Sequence, residues 1–351
     1  MQTTHRLLLG DARELAGVDP GSVQLVLTSP PYPMVQMWDP AFGAMDPRIQ
    51  QHLADADGLA AFEAMHAQLD AVWARCVDAL IPGGFCCINI GDATRSLGGQ
   101  FRLFHNHARI VQSMVALGMS VLPDILWRKP TNAPSKFMGS GMLPAGAYVT
   151  YEHEYVLIFR KGGKRAFSSQ EQRARRSRSA YFWEERNLWF SDLWELHGAR
   201  QKRTSGGRDR SAAFPLELPY RLIQMYSVQG DCVLDPFVGT GTTLQAALAS
   251  GRSSVGVEID PELAQGVLPG LEASQGLGEA LGARRLRAHQ DFVRGRLEAG
   301  KDFKHASEVY AFPVVTRQER TLELLACVGV ERAGDSLRAE HARCTLEPSV
   351  G

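Results

Sequence analysis

The stretch of residues 231–260 reads DCVLDPFVGTGTTLQAALASGRSSVGVEID. Its apolar residues 232–234 predict a short strand, and Gly239 and Gly241 predict a tight turn before a helix over residues 242–250. Residues 254–259 predict a second strand with Glu258 near its end. The stretch is therefore one βαβ unit, which favours an α/β fold with a Rossmann-like sheet.

The polar groups of this unit favour a nucleoside ligand. Glu258 lies 23 positions beyond Asp235, so a carboxylate at a strand end could accept both ribose hydroxyls while the glycine turn lies under the rest of the ligand. Two threonines follow Gly241 without a lysine, which excludes a nucleotide-triphosphate loop. Asp235 would repel a pyrophosphate and attract a cationic amino group, so S-adenosylmethionine fits better than a dinucleotide. A strand-turn-helix without any ligand is the alternative.

A second motif, TSPPY, occupies residues 28–32 after a predicted strand. Pro30 and Pro31 each fix their own φ and lack an N–H, so the carbonyls of Ser29 and Pro30 can face a crevice as acceptors beside the Ser29 hydroxyl. Tyr32 supplies a flat aromatic surface. These groups suit a planar substrate, such as a flipped-out base, whose exocyclic amino group attacks a methyl sulfonium in line. Taken alone, the motif could also be a structural turn.

The strand pattern predicts that these groups meet. Residues 7–10 form a third strand candidate, which ends at Asp11. Because ligands bind outside the carboxyl ends of parallel strands, Asp11, Ser29 and Asp235 could face one crevice if their strands share a sheet. The apolar run 85–90 is typical of a strand buried in such a parallel sheet.

Other segments are less regular. Apolar residues at spacings of three and four predict a helix over residues 59–80, whereas residues 33–57 are predicted to be an irregular loop. After residue 265 we predict only one helix, around residues 319–327.

Residues 160–210 are strongly basic. They contain 14 Lys and Arg against 6 Asp and Glu, although the whole chain has 38 of each. Seven aromatic residues lie among these charges, which predicts nucleic-acid contact, with a solvated charged face around a small aromatic core as the alternative. The candidate DNA-binding residues are Arg173, Arg175, Arg176, Arg178, Arg200, Lys202 and Arg203.

Composition sets outer limits. An apolar content of 44% is typical of a globular protein. The six cysteines lack the Cys and His spacing of zinc sites, so we expect reduced thiols and no metal. No apolar run is long enough for a signal sequence or a membrane span, so we expect a soluble, cytoplasmic protein. Association with a prokaryotic nucleoid is expected from the family resemblance described next.

The order of the two motifs resembles that of the β-class amino DNA methyltransferases, over about residues 5–265. The resemblance implies that Ser29, Pro30, Pro31 and Tyr32 are catalytic. It also implies that Asp11 lies by the cofactor adenine and that Phe214 and Pro215 open the helix covering the methionine end. The full set of expected cofactor-binding residues is Asp11, Phe214, Pro215, Asp235, Pro236, Phe237, Gly239, Gly241, Thr242 and Glu258.

The implied architecture is a circularly permuted, Rossmann-like α/β fold of the S-adenosylmethionine-dependent methyltransferases, with an inserted target-recognition region. Residues 1–160 would form the catalytic half and residues 161–213 the basic insert. Residues 214–265 would form the cofactor-binding half, and residues 266–351 a C-terminal extension without a chemical motif.

Ser29 as the first motif residue resembles the cytosine-N4 members of that family, whereas the adenine-N6 members of this order more often carry aspartate. The expected activity is methyl transfer from S-adenosylmethionine to cytosine N4 in double-stranded DNA, with a restriction endonuclease as a candidate partner. The alternatives are adenine-N6 methylation, a nucleic-acid-binding module without turnover, and methylation of RNA or a small molecule.

Overall fold

The computed structural model describes residues 1–129, 144–146, 149, 151–197 and 214–345. The strands in these residues are β1 (Gln2–Leu9), β2 (Val23–Thr28), β3 (Leu80–Ile90), β4 (Ala93–Leu97), β5 (Gln100–Phe104), β6 (Met119–Arg128), β7 (His153–Lys161), β8 (Leu193–Glu195), β9 (Cys232–Asp235), β10 (Ser253–Glu258), β11 (His305–Ala306), β12 (Pro313–Val314), β13 (Leu325–Ala333) and β14 (Ser336–Arg343). The helices are α1 (Asp39–Met45), α2 (Pro47–Ala54), α3 (Gly58–Ala79), α4 (Asn106–Ala116), α5 (Gln170–Arg178), α6 (Trp183–Trp189), α7 (Glu217–Tyr226), α8 (Thr242–Ala249), α9 (Pro261–Glu272) and α10 (Leu277–Glu298).

Within the described residues, ten strands form one sheet in the order β13-β14-β1-β10-β9-β2-β3-β7-β6-β8. Its centre, from β1 to β3 in that order, is parallel, while β14 and β7 pair antiparallel with its two sides. The chain runs outward from β2 to β3 and, on the other side, from β9 to β10. The adjacent strands β2 and β9 therefore flank a switch point, where open α/β sheets bind ligands. The predicted α/β fold with a Rossmann-like parallel centre is confirmed.

Helices cover both faces of the sheet. On one face, Phe42 of α1 and Met65 and Trp73 of α3 are fully buried in a core shared with β2 and β3. On the other face, Leu222 of α7 and Ala246 of α8 are fully buried. No helix in the described part of the chain combines the length and apolarity needed to cross a membrane.

The prediction of an irregular loop at residues 33–57 is wrong, because α1 and α2 lie there. Each of the two helices has a proline in its first turn, and Asp46 caps α2 by accepting a hydrogen bond from the Arg48 amide (3.0 Å). The first turn tolerates proline because its amides have no partner within the helix. Prolines that resemble helix breakers in the sequence therefore begin helices here.

The prediction of a helix at residues 319–327 is also wrong. A short 3₁₀ turn at Arg317–Glu319 is followed by β13, and the hairpin of β13 and β14 extends the sheet beside β1. Two helices, α9 and α10, precede it. The inward residues of β14 alternate, as a half-buried strand requires, but their partner strand lies more than 300 residues earlier in the chain.

His5 of β1 is buried, and its strand neighbours are Ser254 of β10 on one side and Leu337 of β14 on the other. Its Nδ1 lies 2.8 Å from Ser254 Oγ on β10, and its Nε2 lies 3.0 Å from Thr3 Oγ1. Burial, together with the neighbouring His341, lowers the pKa of His5 to about 3. The folded protein therefore holds a neutral imidazole between β10 and β14.

We expect acid to destabilise the fold through His5. The unfolded chain takes up this proton near pH 6.5 and the folded chain only near pH 3, so the free energy of unfolding falls as the pH drops from 6.5 towards 3. Urea denaturation at a series of pH values measures the loss. A His5→Gln variant has no titrating ring and should lose less over this range, whereas an equal loss in both proteins would contradict the assignment.

Candidate active site

One hydrogen bond joins the two sequence motifs. Thr28, the last residue of β2, donates its hydroxyl to Asp235 Oδ1 at the end of β9 (2.7 Å), and the Phe237 amide donates to the same oxygen (3.0 Å). Asp235 is only 2% exposed, and burial raises the pKa of its carboxyl to about 6. The predicted contact of Asp235 with a cofactor amino group stays a prediction, and it would have to use the other carboxylate oxygen.

The glycine turn after β9 is fastened to the end of β10. Gly239 and Gly241 have φ values of 53° and 88°, which a residue with a side chain rarely adopts. The Gly239 amide donates to Glu258 Oε2 and the Asp260 amide to Glu258 Oε1, both at 2.9 Å. Burial raises the pKa of Glu258. Since a carboxylate has about four acceptor positions, Glu258 keeps capacity for further donors such as ribose hydroxyls.

A cavity of about 210 Å³ opens at the carboxyl ends of β1, β2, β9 and β10. Its walls contain seven of the residues predicted from the sequence, namely Asp11, Ser29, Pro31, Pro236, Phe237, Gly239 and Glu258. Residues that the sequence did not single out complete the walls, mainly from α1, α3 and the start of α9; they include Trp38, Ala41, Gln68, Leu69, Val72 and Leu263. Their contribution depends on helix packing, for which no local motif exists.

Other predicted cofactor residues do not line this cavity. Asp235 is the last residue of β9, and Gly241 and Thr242 begin α8; none of the three is on the wall. Phe214 is buried with Trp194 and Leu218 in the core that also contains α7 and α8. The cofactor contacts expected of Phe214 and Pro215 stay predictions.

Asp11 lies on the cavity wall but is paired with Arg13 (2.6 Å). Hydrogen bonds from Arg13 lower the pKa of the Asp11 carboxyl. Arg13 also donates to Gln68 Oε1 (2.7 Å) on α3, which ties the loop after β1 to that helix. An adenine beside Asp11, as predicted, would therefore also lie near the Arg13 guanidinium, which the sequence motif did not indicate.

The TSPPY motif contacts two side chains that sequence reasoning missed, and a third missed side chain pairs with one of them. The Tyr32 hydroxyl lies 3.1 Å from Ser29 Oγ, donates to Glu154 Oε2 (2.9 Å) and accepts from Asn89 Nδ2 (2.8 Å), while Lys129 pairs with Glu154 Oε1. Glu154 reaches the site because β7 runs antiparallel to β3, so that the first residues of β7 lie at the carboxyl end of β3. The apolar run of β7 was visible in the sequence, but its direction was not.

A group of possible metal ligands lies beside the motif. Asp92, His105 and His107 place ligand-type atoms within 4.8 Å of one another. The Asp92 carboxylate also accepts the His107 amide at the start of α4 (3.1 Å). Although burial opposes ionisation, hydrogen bonds from the two histidines hold the pKa of Asp92 below its usual range. Ordinary hydrogen bonds thus account for the cluster, and the expectation of no metal stays a prediction.

The part of the basic segment that contains Arg165 and α5 lies at the opposite end of the sheet from the cavity, whereas β8 pairs with the carboxyl end of β6. Arg165 forms a bidentate ion pair with Asp231 (2.6 and 2.9 Å), and Ser179, directly after α5, accepts a hydrogen bond from the Gln229 amide (2.9 Å). Both partners precede β9, whereas the cavity lies beyond its far end, about 13 Å away along a four-residue strand. This placement does not favour direct contacts from α5 to bases beside a flipped nucleotide.

The arginines of α5 also have partners within the protein. Arg175 pairs with Glu171, Arg178 with Glu323, Arg173 with the Ser168 carbonyl and Arg176 with the Phe167 ring. Arg200, Lys202 and Arg203 lie outside the described residues. Three of the seven aromatic residues, Phe182, Trp189 and Trp194, are buried and anchor the segment. A role of α5 in reading DNA stays a prediction.

Comparison with known proteins places the chain in a family. A family model described as DNA methylase matches residues 23–268. The Type II methyltransferase M.MthZI of Methanothermobacter thermautotrophicus is 47% identical over 327 residues, which cover 92% of this chain and 91% of that protein. The Type II methyltransferase M.MjaI of Methanocaldococcus jannaschii is 46% identical over 272 residues, covering 74% of this chain and 89% of that protein.

A solved structure supports the same grouping. A protein of Thermus thermophilus, described as a putative DNA modification methylase and crystallised with S-adenosyl-L-methionine, matches with a TM-score of 0.59 at 36% identity. The match covers 77% of this chain and 95% of that chain. Together with the two motifs that meet at the cavity, these similarities show that the chain belongs to the DNA methylase family, in its amino-methyltransferase class.

Proposed function

We propose that this protein transfers a methyl group from S-adenosylmethionine to the exocyclic N4 amino group of a cytosine flipped out of double-stranded DNA. The observation that carries the proposal is that Ser29 and Glu258 line the same cavity. A base at Ser29 and a nucleoside at Glu258 would therefore lie in neighbouring parts of one cavity. The Thermus thermophilus protein crystallised with S-adenosyl-L-methionine supports the cofactor.

The residues of the cavity fit that cofactor. Glu258 retains acceptor positions for ribose hydroxyls, and Phe237, Leu69 and Val72 offer apolar surface for an adenine ring. Asp235, which is buried at the start of the glycine turn, would add a carboxylate near the positively charged end. The bound cofactor supplies a methyl group on a sulfonium.

The chain's own groups would prepare the target amine. The Ser29 hydroxyl and the carbonyls of Ser29 and Pro30 can accept the two amino N–H bonds, because neither proline has a competing N–H. Accepting both bonds draws the nitrogen towards tetrahedral geometry and exposes its lone pair for in-line attack. The Tyr32 ring would stack on the flipped base.

The identity of the base rests on Ser29. A serine in this position resembles the cytosine-N4 enzymes, and adenine N6 is the alternative because it is an exocyclic amino group with the same chemistry. Residues 161–213 are proposed as the sequence-recognition insert. The relatives called Type II methyltransferases support a restriction endonuclease as the functional partner.

The product identifies the base. Incubation with methyl-labelled S-adenosylmethionine and unmethylated genomic DNA, followed by digestion and mass spectrometry of nucleosides, should yield labelled 4-methylcytosine. Labelled 6-methyladenine would agree with the proposed mechanism but show that the target base is adenine. Unlabelled DNA would contradict the proposal.

Removing the Ser29 hydroxyl should slow the reaction. We expect Ser29→Ala to lower the single-turnover rate about 10²-fold, since one preorganised partner of the reacting group is lost. The control is Ser22→Ala, which removes an exposed hydroxyl from the loop before β2 and should leave the rate unchanged. Equal rates for the Ser29→Ala protein and the wild type would contradict the catalytic role.

Glu258 should control cofactor affinity. We expect Glu258→Gln to raise the Kd for S-adenosylmethionine about tenfold to a hundredfold, because the loss of charge-assisted hydrogen bonds costs about 1.5–3 kcal/mol. Titration calorimetry measures the Kd, and the melting temperature checks the fold. Glu262→Gln changes an exposed residue of α9 and should bind as the wild type does. An unchanged Kd for the Glu258→Gln variant would show that Glu258 does not bind the cofactor.

Salt should weaken binding to duplex DNA. Each phosphate neutralised by the protein contributes about −0.9 to the slope of log K against log salt concentration, so a steep slope is expected. Fluorescence anisotropy with duplex DNA and with RNA of the same sequence measures both slopes. Salt-independent DNA binding, or tighter binding to RNA, would contradict DNA as the substrate.

A further inference from the structure

A chain of hydrogen bonds leads from the catalytic motif to a carboxylate outside it. Ser29 Oγ lies 3.1 Å from the Tyr32 hydroxyl, which lies 2.9 Å from Glu154 Oε2. Glu154 comes from the start of β7, more than 120 residues after the motif. Since β7 and β3 are antiparallel neighbours, the sheet itself holds Glu154 against the motif.

The surroundings leave this carboxylate little freedom. Asn89 donates to both the Tyr32 hydroxyl (2.8 Å) and Glu154 Oε2 (2.7 Å), and Lys129 pairs with Glu154 Oε1. Gly91 lies so close that a Cβ there would be 3.1 Å from the Tyr32 ring and 3.2 Å from Glu154 Cγ. The tyrosine hydroxyl and the carboxylate are therefore positioned by packing as well as by hydrogen bonds.

The network also sets the direction of the Ser29 hydroxyl. A carboxylate only accepts, so Tyr32 must donate its single hydroxyl proton to Glu154. Tyr32 is then left with acceptor capacity, which Asn89 and Ser29 fill. Ser29 must therefore donate to Tyr32, and its remaining lone pairs are available to accept an N–H bond from a substrate.

The proposed reaction needs a place for a proton. When a neutral amino group attacks the methyl group, the N–CH₃ bond forms, the S–CH₃ bond breaks and the nitrogen becomes positively charged. One N–H proton must then leave to give the neutral product. Ser29 can pass a proton on but cannot keep it, and the prolines offer only carbonyl oxygens, which accept hydrogen bonds but are too weakly basic to hold a proton.

We propose that Glu154 is a positioning residue that orients Ser29 through Tyr32 and takes up the proton released by the methylated amine. Ser29 Oγ accepts the proton from nitrogen and releases its own to the Tyr32 oxygen, and Tyr32 releases its proton to Glu154 Oε2. Both hydroxyls end with one proton, as they began, and Glu154 ends protonated. This inference rests on the proposed amino methylation.

Two further features agree with this path. Burial and the Glu154 carboxylate raise the pKa of Tyr32, so the phenol keeps its proton until another arrives. The side chains of Glu154 and Lys129 are 14% and 32% exposed, so the hydrogen-bond chain from Ser29 ends at solvent. The proton can be lost there before the next turnover.

The test is Glu154→Gln, which keeps the shape of the side chain but cannot take up the proton. We expect unchanged Kd values for S-adenosylmethionine and DNA and a single-turnover rate lowered about 10²-fold or more. The wild-type rate should rise with pH along a limb that this variant lacks, and Glu154→Asp should restore part of the rate. Tyr32→Phe should show a similar loss, and the double variant should lose no more than either single variant.

The control is Glu152→Gln, the same change two residues earlier, where the side chain faces Arg128 at 3.8 Å; it should leave the rate and pH profile unchanged. A wild-type rate and pH profile in Glu154→Gln would overturn the inference and leave the proposed function intact. Weaker cofactor binding or a lower melting temperature in Glu154→Gln would reduce Glu154 to a structural role, which also overturns it. Failure of the wild type to methylate DNA would instead refute the proposed function.

Discussion

The hydrogen bond between Thr28 and Asp235 is the contact on which the active site depends. Both side chains are buried, and their residues lie 207 positions apart in the chain. A buried carboxylate without this partner would carry a large desolvation cost, so the ends of β2 and β9 are held side by side. The Ser-Pro-Pro-Tyr segment, which we propose as catalytic, follows one of these strands and the glycine turn follows the other. Their common cavity results from this junction.

The position of that junction in the sheet explains why it forms a site. From β2 the chain builds the sheet outward through β3, and from β9 it builds through β10 in the opposite direction. The helices after β2 and β9 therefore cover opposite faces, and a crevice opens between the two strand ends. Because strand pairing brings β9 back beside β2, the Ser-Pro-Pro-Tyr segment can precede the glycine turn in the chain and still meet it in space.

The antiparallel strand β7 supplies what the parallel centre cannot. Parallel strands place their last residues at the carboxyl end of the sheet, whereas the antiparallel β7 places its first residues there, including Glu154, which contacts Tyr32. The basic helix α5 lies at the opposite end of the sheet from the cavity, where β9 begins. Its arginines pair largely with groups of the protein itself. Charge composition indicated a nucleic-acid interface, but charge alone does not show at which end of the sheet a segment lies.

The sequence by itself determined the parts of this protein that depend on local chemistry. These include the glycine turn, the rigid Ser-Pro-Pro segment, the long helix α3 and the strand that ends at Glu258, because backbone freedom and hydrophobic periodicity operate within a few residues. Only the tertiary structure decided that Glu154 and Asn89 touch Tyr32, that Gln68 of α3 meets Arg13 beside the cavity, and that β14 joins β1. The physical reason is that strand order and direction decide which distant residues meet, and these follow from the packing of the whole sheet.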